Sequence, residues 1–396
     1  MDRARFQSIS DAVVFSFEQN LKTHGEGRSS LPMMPVASSI PGRDKAAAWR
    51  AGSVLAAALG RRCKVAFQAG ENVTDIHIDQ TAWPLEKYEH VPGKGRALND
   101  ERREEDLAEI FPPIEPKIPD GSLPIVEDKP FVITDSEDFI LCCVSCRPTW
   151  FNEKQEDIIQ ARSAYGEAGG LHISTDESVW RCGPKLFNLD AKNSNPGIKS
   201  HAGQQFLSPA AIPQGTSLRK NIAETKSYSE NGTSAWLQSM ARAGAVFDGI
   251  MRVTCPAQHC ALRAELDELA RREPETAGLW CFPTQACHLI SNRETIFHCD
   301  TGDGSLFYDM VATVGDYGRG AYMGYQSLGF AAPYNSGNAQ VFLAKHLSHG
   351  VPEVSGDRVC IALFCQRGVL KAWGIDQAGK EYFPLRVDDF VVASGL

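Results

Sequence analysis

Apolar residues recur at helical spacing over residues 4 to 21 and again over 44 to 60, where the chain reads KAAAWRAGSVLAAALG, and both stretches are expected to be helices. Between them THGEGRSSLPMMPVASSIPG is rich in Gly, Ser and Pro and reads as a loop. Residues 91 to 124, VPGKGRALNDERREEDLAEIFPPIEPKIPDGSLP, are charged and proline-rich, the pattern of a linker. Beyond it PFVITD and FILCCVSC read as strands and QEDIIQARSAYGEAG as a helix. Residues 190 to 232 are polar and aperiodic, as expected of a long surface loop.

From residue 233 the pattern tightens. SAWLQSMARAGAVFDGIM and AQHCALRAELDELARRE read as amphipathic helices. A series of short apolar runs divided by Gly and Pro follows: ACHLISN, TIFHC, LFYDMVATV, AYMGY, AQVFLAK, RVCIALFCQ and VLKAWG, all expected to be strands. The spacing suggests an α+β protein whose strands form a jelly roll or barrel flanked by helices. Three regions are expected: a helical and irregular region over 1–125 ending in the linker at 91–124, a strand-containing extension with a long polar loop over 126–232, and the jelly-roll core over 233–396.

Composition narrows the class only modestly. With 40 Lys and Arg against 49 Asp and Glu the chain carries a net charge of −9, so no global field attracts nucleic acid, although a local basic groove remains compatible. Twelve cysteines in 396 residues are far from the density of a disulfide scaffold. The first residues lack an apolar signal core, and no run approaches the ~18 apolar residues of a membrane span. A soluble, reduced, intracellular protein is therefore expected, in which the sequons at Asn72 and Asn231 have no meaning. Cys143 with Cys146, and Cys255 with His259 and Cys260, lack a second pair at zinc-finger spacing and read as unpaired thiols.

The candidate chemistry lies in FHCDTGDGSLFYD at 297–309. Residues i and i+2 of a strand point to one face, so His-x-Asp sets two metal ligands side by side. A distant His completes the facial triad that holds non-haem Fe(II) with open positions, and an Arg nearby can grip the far carboxylate of 2-oxoglutarate as a fork. The chain holds two such motifs. His77-Ile78-Asp79, with His172 and Arg181 downstream, has the linker where the strands should be, and it reads as a solvated strand end. His298-Cys299-Asp300 has His349 51 residues further on and Arg358 nine residues after that, opening the apolar strand RVCIALFC. The third ligand is expected to be His349, placed by LSHGV at the entry to a turn, with His346 as its rival.

At these residues the chain resembles a known family. NRETIFHCDTGDG, GDYGRGAYMGYQSLGFAAPYNSGNAQVFLAKHLSHGV and GDRVCIALF resemble the oxygenase domain of the TET/JBP family, especially its fungal, transposon-associated branch, over residues 235 to 375 or so. The resemblance implies a double-stranded β-helix core. It implies further that His298, Asp300 and His349 hold Fe(II), that Arg358 binds 2-oxoglutarate, and that with O2 the enzyme oxidises the methyl group of a base in DNA. The product would be 5-hydroxymethylcytosine from 5-methylcytosine, or a demethylated N6-methyladenine, on a nucleotide flipped out of the duplex. Two positions depart from the family. Cys360 stands where a Ser often assists the cosubstrate grip, and a thiol is the weaker donor. Asp303 stands where animal members have an Asn reading the cytosine edge, and an ionised Asp there would act on the base only as an acceptor. Arg219, Lys220 and Lys226, in SLRKNIAETK, are the candidate phosphate contacts. Phe307, Tyr308, Tyr317, Tyr322 and Tyr325 are expected mostly to fill the core. A nuclear location follows from the substrate alone. The competing readings are a 2-oxoglutarate oxygenase acting on a protein side chain or small metabolite, which the acidic net charge favours, and a metal-free binding jelly roll.

Overall fold

The computed structural model describes residues 3–26, 40–60, 62–63, 130–134, 140–145, 152–175, 183–212, 222–230, 232–300, 307–318, 320–328, 330–345 and 347–375. The helices are α1 Arg3–Glu26, α2 Gly42–Gly60, α3 Asn152–Glu167, α4 Thr233–Thr254, α5 Pro256–Arg272, α6 Pro274–Leu279 and α7 Arg367–Ala372. The strands are β1 Arg62–Cys63, β2 Phe131–Thr134, β3 Ile140–Ser145, β4 Gly203–Leu207, β5 Ala286–Ser291, β6 Thr295–His298, β7 Asp309–Asp316, β8 Tyr322–Tyr325, β9 Phe330–Pro333, β10 Ala339–Phe342, β11 His349–Val351 and β12 Asp357–Phe364.

The strands form two sheets. The large one runs β1-β2-β3-β10-β7-β12-β5-β4, antiparallel except for the short β1–β2 pair, and the small one runs β6-β11-β8-β9, antiparallel throughout. Together with the helices this is an α+β architecture. Alternation assigns the faces of the large sheet. Register places Phe342 opposite Asp309, Thr313 opposite Cys360 and Gly315 opposite Arg358, so these side chains share one face. The same face meets the small sheet: the Phe131 ring packs on Phe330 and the Tyr325 hydroxyl bonds Gln340.

The opposite face packs on helices. Val132, Cys143 and Val341 line a small gap with Leu55 and Leu59 of α2 and Val253 of α4. Every residue of α4 from Ala243 to Met251 is buried, as a helix held between a sheet and further helices should be. Gly244 permits this: a Cβ there would lie 1.9 Å from the Cys281 carbonyl oxygen. Pro256 and Pro274 open α5 and α6, at first-turn positions where a missing N–H costs nothing. A buried polar knot ties α1, α4 and α5. Asp248 accepts from Ser10 Oγ at 2.7 Å and bonds His259 Nε2 at 2.9 Å. Burial pushes the Asp248 carboxyl up, but the His259 and Ser10 hydrogen bonds outweigh it and hold the group below its usual range.

Two expectations change. VLKAWG is not a strand, because Val369 and Leu370 are buried on the short helix α7, and a brief apolar run does not by itself distinguish helix from strand. The polar stretch 190–232 contains β4, whose Gln204 and Gln205 hide the alternation of an edge strand paired with β5. The linker at 91–124 lies outside the described residues.

Asp248→Ala should lower stability by about 3 kcal/mol by leaving Ser10 and His259 without their acceptor, read by chemical denaturation at neutral pH. Because the folded carboxyl titrates below its usual range, the wild-type advantage is present above that range and should vanish as pH falls through the depressed value.

Candidate functional site

The register of the small sheet places His349 directly opposite both His298 on β6 and Tyr325 on β8. Directly opposed residues of antiparallel strands send their side chains to one face, and the two imidazole centroids stand 4.3 Å apart. Asp300 follows β6, where its backbone N–H donates to the Ala344 carbonyl at 2.9 Å, and its carboxylate reaches both rings: Oδ1 is 3.6 Å from His298 Nε2 and Oδ2 is 3.6 Å from His349 Nε2. One ligand atom from each of the three residues falls within 4.8 Å of the others, the sole such group of His, Cys, Asp or Glu among the described residues.

The site fits a metal ion on three counts. First, 3.6 Å is too long for a hydrogen bond but near the separation of neighbouring ligands on one ion, roughly 3 Å for bonds of about 2.1 Å. Second, each ring is oriented from behind, His298 Nδ1 by the Ile296 carbonyl at 2.7 Å and His349 Nδ1 by the Leu347 carbonyl at 2.8 Å. With Nδ1 donating, each Nε2 turns its lone pair toward Asp300. Third, two imidazoles and one carboxylate are the donor set that suits Fe(II) and leaves positions open. Both rings are buried while Asp300 is 35% exposed at its side chain, so access is from the carboxylate side.

Arg358, the second residue of β12, lies on the face of the large sheet turned toward this cluster, a face identified by the Phe342 ring, which meets the His349 ring at 4.8 Å. It is 2% exposed, its Nη2 donates to the Arg293 carbonyl, and its Nη1 has no hydrogen-bond partner. No carboxylate pairs with it among the described residues. Cys360 and Tyr334 meet at 3.4 Å beside it, and Tyr317 bonds Thr313 at 3.0 Å and the Tyr334 carbonyl at 2.9 Å. Burial raises the Cys360 thiol and the Tyr317 and Tyr334 phenols above their usual ranges, so they stay neutral donors and provide no counter-charge. A buried cation with an open donor and no anion is suited to a ligand carboxylate.

Sequence reasoning passed over several residues here. Arg293 is buried, and its charge acts with that of Arg358 on Cys360. Phe364 stacks on Phe206 with centroids 5.7 Å apart, and Phe206 meets His288 edge-on at 6.5 Å; the three are half-buried on the same inward face as Arg358. Phe206 lies in the polar stretch where no strand was expected, and half-burial is invisible in a one-dimensional pattern.

Other expectations separate. His349 opens strand β11 rather than a turn. Phe307, Tyr308, Tyr317 and Tyr325 are buried, as core residues should be. His172 is exposed, 3.6 Å from Glu230, with no contact to the cluster. His259 serves Asp248 while Cys260 points outward, so Cys255, His259 and Cys260 form no metal group. Lys226 stands exposed on a single 3-10 turn, Lys226–Ser229. Asp303, Arg219, Lys220, His346, Cys146, His77, Asp79 and Arg181 lie outside the described residues.

No protein-family profile and no curated protein matches the chain. Solved structures with a similar arrangement include NgTET1 in complex with 5mC DNA, at 9% identity and TM-score 0.43, covering 69% of this chain and 86% of that one. They also include a prolyl-4-hydroxylase from Pseudomonas putida, at 14% identity and TM-score 0.20 over 44% of this chain and 77% of that one. A third is JOX2 in complex with 2OG, Fe and JA, at 10% identity and TM-score 0.27 over 53% and 63%. At TM-scores this low the likeness carries no functional assignment, which rests on the site's own geometry.

Isothermal titration with Mn(II) should detect one site. His298→Ala and His349→Ala should each weaken it by more than the ~100-fold that loss of an outer partner can cost, whereas His172→Ala should leave it unchanged.

Proposed function

We propose that the protein is an Fe(II)- and 2-oxoglutarate-dependent dioxygenase that oxidises the methyl group of a modified base in DNA. The observation that carries the enzyme class is the facial set His298, Asp300 and His349 on the small sheet facing the space into which the uncompensated Arg358 projects from the large one. In this reading the segment from residue 233 onward carries a double-stranded β-helix core, and β2 to β4 extend its large sheet.

Fe(II) bound there would supply, with 2-oxoglutarate and O2, the oxidising power to hydroxylate a methyl C–H bond. The chain's own residues do the rest. His298 and His349 hold the metal through Nε2 because backbone carbonyls fix their Nδ1–H groups. Arg358 receives the far carboxylate of 2-oxoglutarate with Nη1, assisted by the neutral donors Cys360 and Tyr334. The buried surroundings of Arg358 exclude water and strengthen that charge-assisted contact.

The base is the finer part of the proposal. Phe364, Phe206 and His288 present half-buried rings on the inward face, a surface suited to a planar group delivered from outside. A base within a duplex must be flipped out to reach such a pocket, and ring faces are what hold a flipped base. Asp303, Arg219, Lys220 and Lys226 remain the proposed contacts to the base edge and the phosphates. A protein side chain or small metabolite is the alternative substrate, favoured by the net charge of −9.

Nucleoside mass spectrometry after incubation with Fe(II), 2-oxoglutarate, O2 and duplexes carrying 5-methylcytosine or N6-methyladenine tests the substrate. A hydroxymethyl product or loss of the adenine methyl is expected, reduced about tenfold or more in Phe364→Ala because one base–ring stack is worth ~1–3 kcal/mol. Succinate formation without any change in either duplex would transfer the assignment to the protein or metabolite oxygenase.

A further inference from the structure

Arg358 is gripped by its neighbour across the strand pair before any ligand is considered. Its backbone N–H donates to Asn292 Oδ1 at 2.7 Å, and its carbonyl accepts from the Asn292 N–H at 2.8 Å. With the Arg293 carbonyl accepting from Nη2, one turn after β5 holds Arg358 at its backbone and at one side of its guanidinium, leaving Nη1 as the open donor.

Asn292 is the sole non-glycine among the described residues with a left-handed backbone, at φ 53°. Glycine adopts that conformation most readily, so the backbone alone does not require a side chain here. The Asn side chain is fully engaged. Besides accepting from Arg358, its Nδ2 donates to Ser200 Oγ at 2.7 Å and to Asp357 Oδ1 at 3.2 Å.

Asp357 is the hub behind this hook. It is fully buried and ion-paired with the equally buried Arg162 of α3. Ser200 Oγ donates to it at 2.7 Å and Asn193 Nδ2 at 3.0 Å. Its backbone is fixed as closely: Gly315 lies opposite Arg358, where a Cβ would fall 2.0 Å from the Asp357 carbonyl oxygen. Arg162 also donates to the His201 carbonyl at 3.4 Å, so α3, the irregular segment 193–201 and the β5 turn converge on the residue next to Arg358. A buried carboxylate with this many donors defines one arrangement of its surroundings.

We infer that Asn292, locked by the Asp357–Arg162 hub, is a positioning residue that sets how tightly Arg358 binds the carboxylate of the cosubstrate. The inference rests on the assignment of Arg358 to that carboxylate. An arginine side chain has several rotatable bonds, and holding its backbone and one guanidinium nitrogen removes freedom that binding would otherwise have to freeze. Asn292 itself touches neither the ligand nor the metal cluster.

The test uses full-length protein loaded with Mn(II) and titrated calorimetrically with 2-oxoglutarate. Asn292→Gly suits the left-handed backbone while deleting the hook. It should keep Mn(II) affinity within about twofold and weaken 2-oxoglutarate about tenfold or more, the scale set by loss of an outer hydrogen-bond partner. In turnover the same variant should raise KM for 2-oxoglutarate and retain kcat at saturation. Ser200→Ala removes one donor from the hub with little risk to folding and should weaken 2-oxoglutarate about threefold, the scale of one net hydrogen bond. If the wild type binds 2-oxoglutarate and folded Asn292→Gly binds it equally, the positioning role is overturned while the cosubstrate assignment stands; should Asn292→Gly not fold, unchanged affinity in Ser200→Ala overturns it. If the Mn(II)-loaded wild type takes up no 2-oxoglutarate, the cosubstrate assignment itself fails.

Discussion

The antiparallel register that sets His349 opposite His298 is the constraint on which the site depends. A shift of one residue in β11 would turn the His349 side chain to the other face and separate the two imidazoles. Nothing in the ligands themselves fixes that register. It comes from the small sheet, in which β11 lies between β6 and β8 and carries only buried residues. The carbonyls of Ile296 and Leu347 then turn both rings, so the two Nε2 atoms converge on Asp300 as a consequence of strand pairing.

The large sheet supplies the opposite charge character. Its inward face carries a cation with an open donor, neutral hydroxyl and thiol donors, half-buried rings, and Phe342, whose ring meets His349 of the triad. Its outward face is apolar and sealed by α2 and α4. Without that helical layer the apolar outward face of the large sheet would lie open to water. The knot of Ser10, Asp248 and His259 contributes at a distance, because it fixes α1 and α5 to the helix on which the large sheet rests.

The chain also keeps two buried arginine arrangements apart by strand alternation. Asp357 and Arg358 are adjacent, and successive residues of a strand face opposite ways. Asp357 therefore neutralises Arg162, while Arg358 turns inward without a counter-ion. A carboxylate within ion-pair distance of Arg358 would fill the donor that the proposed cosubstrate needs.

Much of this was legible in the residues. The His-x-Asp pair, the His 51 positions later and the Arg nine beyond it were enough to point to this cluster, because ligand chemistry is local and the interval between them reads as apolar runs divided by Gly and Pro. Long helices such as α4 and α5 were equally plain, since many turns repeat one period. By itself, then, the sequence determined the donor set, its spacing and the helical and strand segments that carry it. Only the tertiary structure decided which side chains share a face: that Phe206 of an edge strand disguised by glutamines stacks on Phe364, that Val369 and Leu370 lie on a helix, that His349 starts a strand, and that Asn292 holds Arg358. The physical reason is that these facts depend on register and burial, which are set by residues far apart in the chain, whereas sequence patterns report only the periodicity of near neighbours.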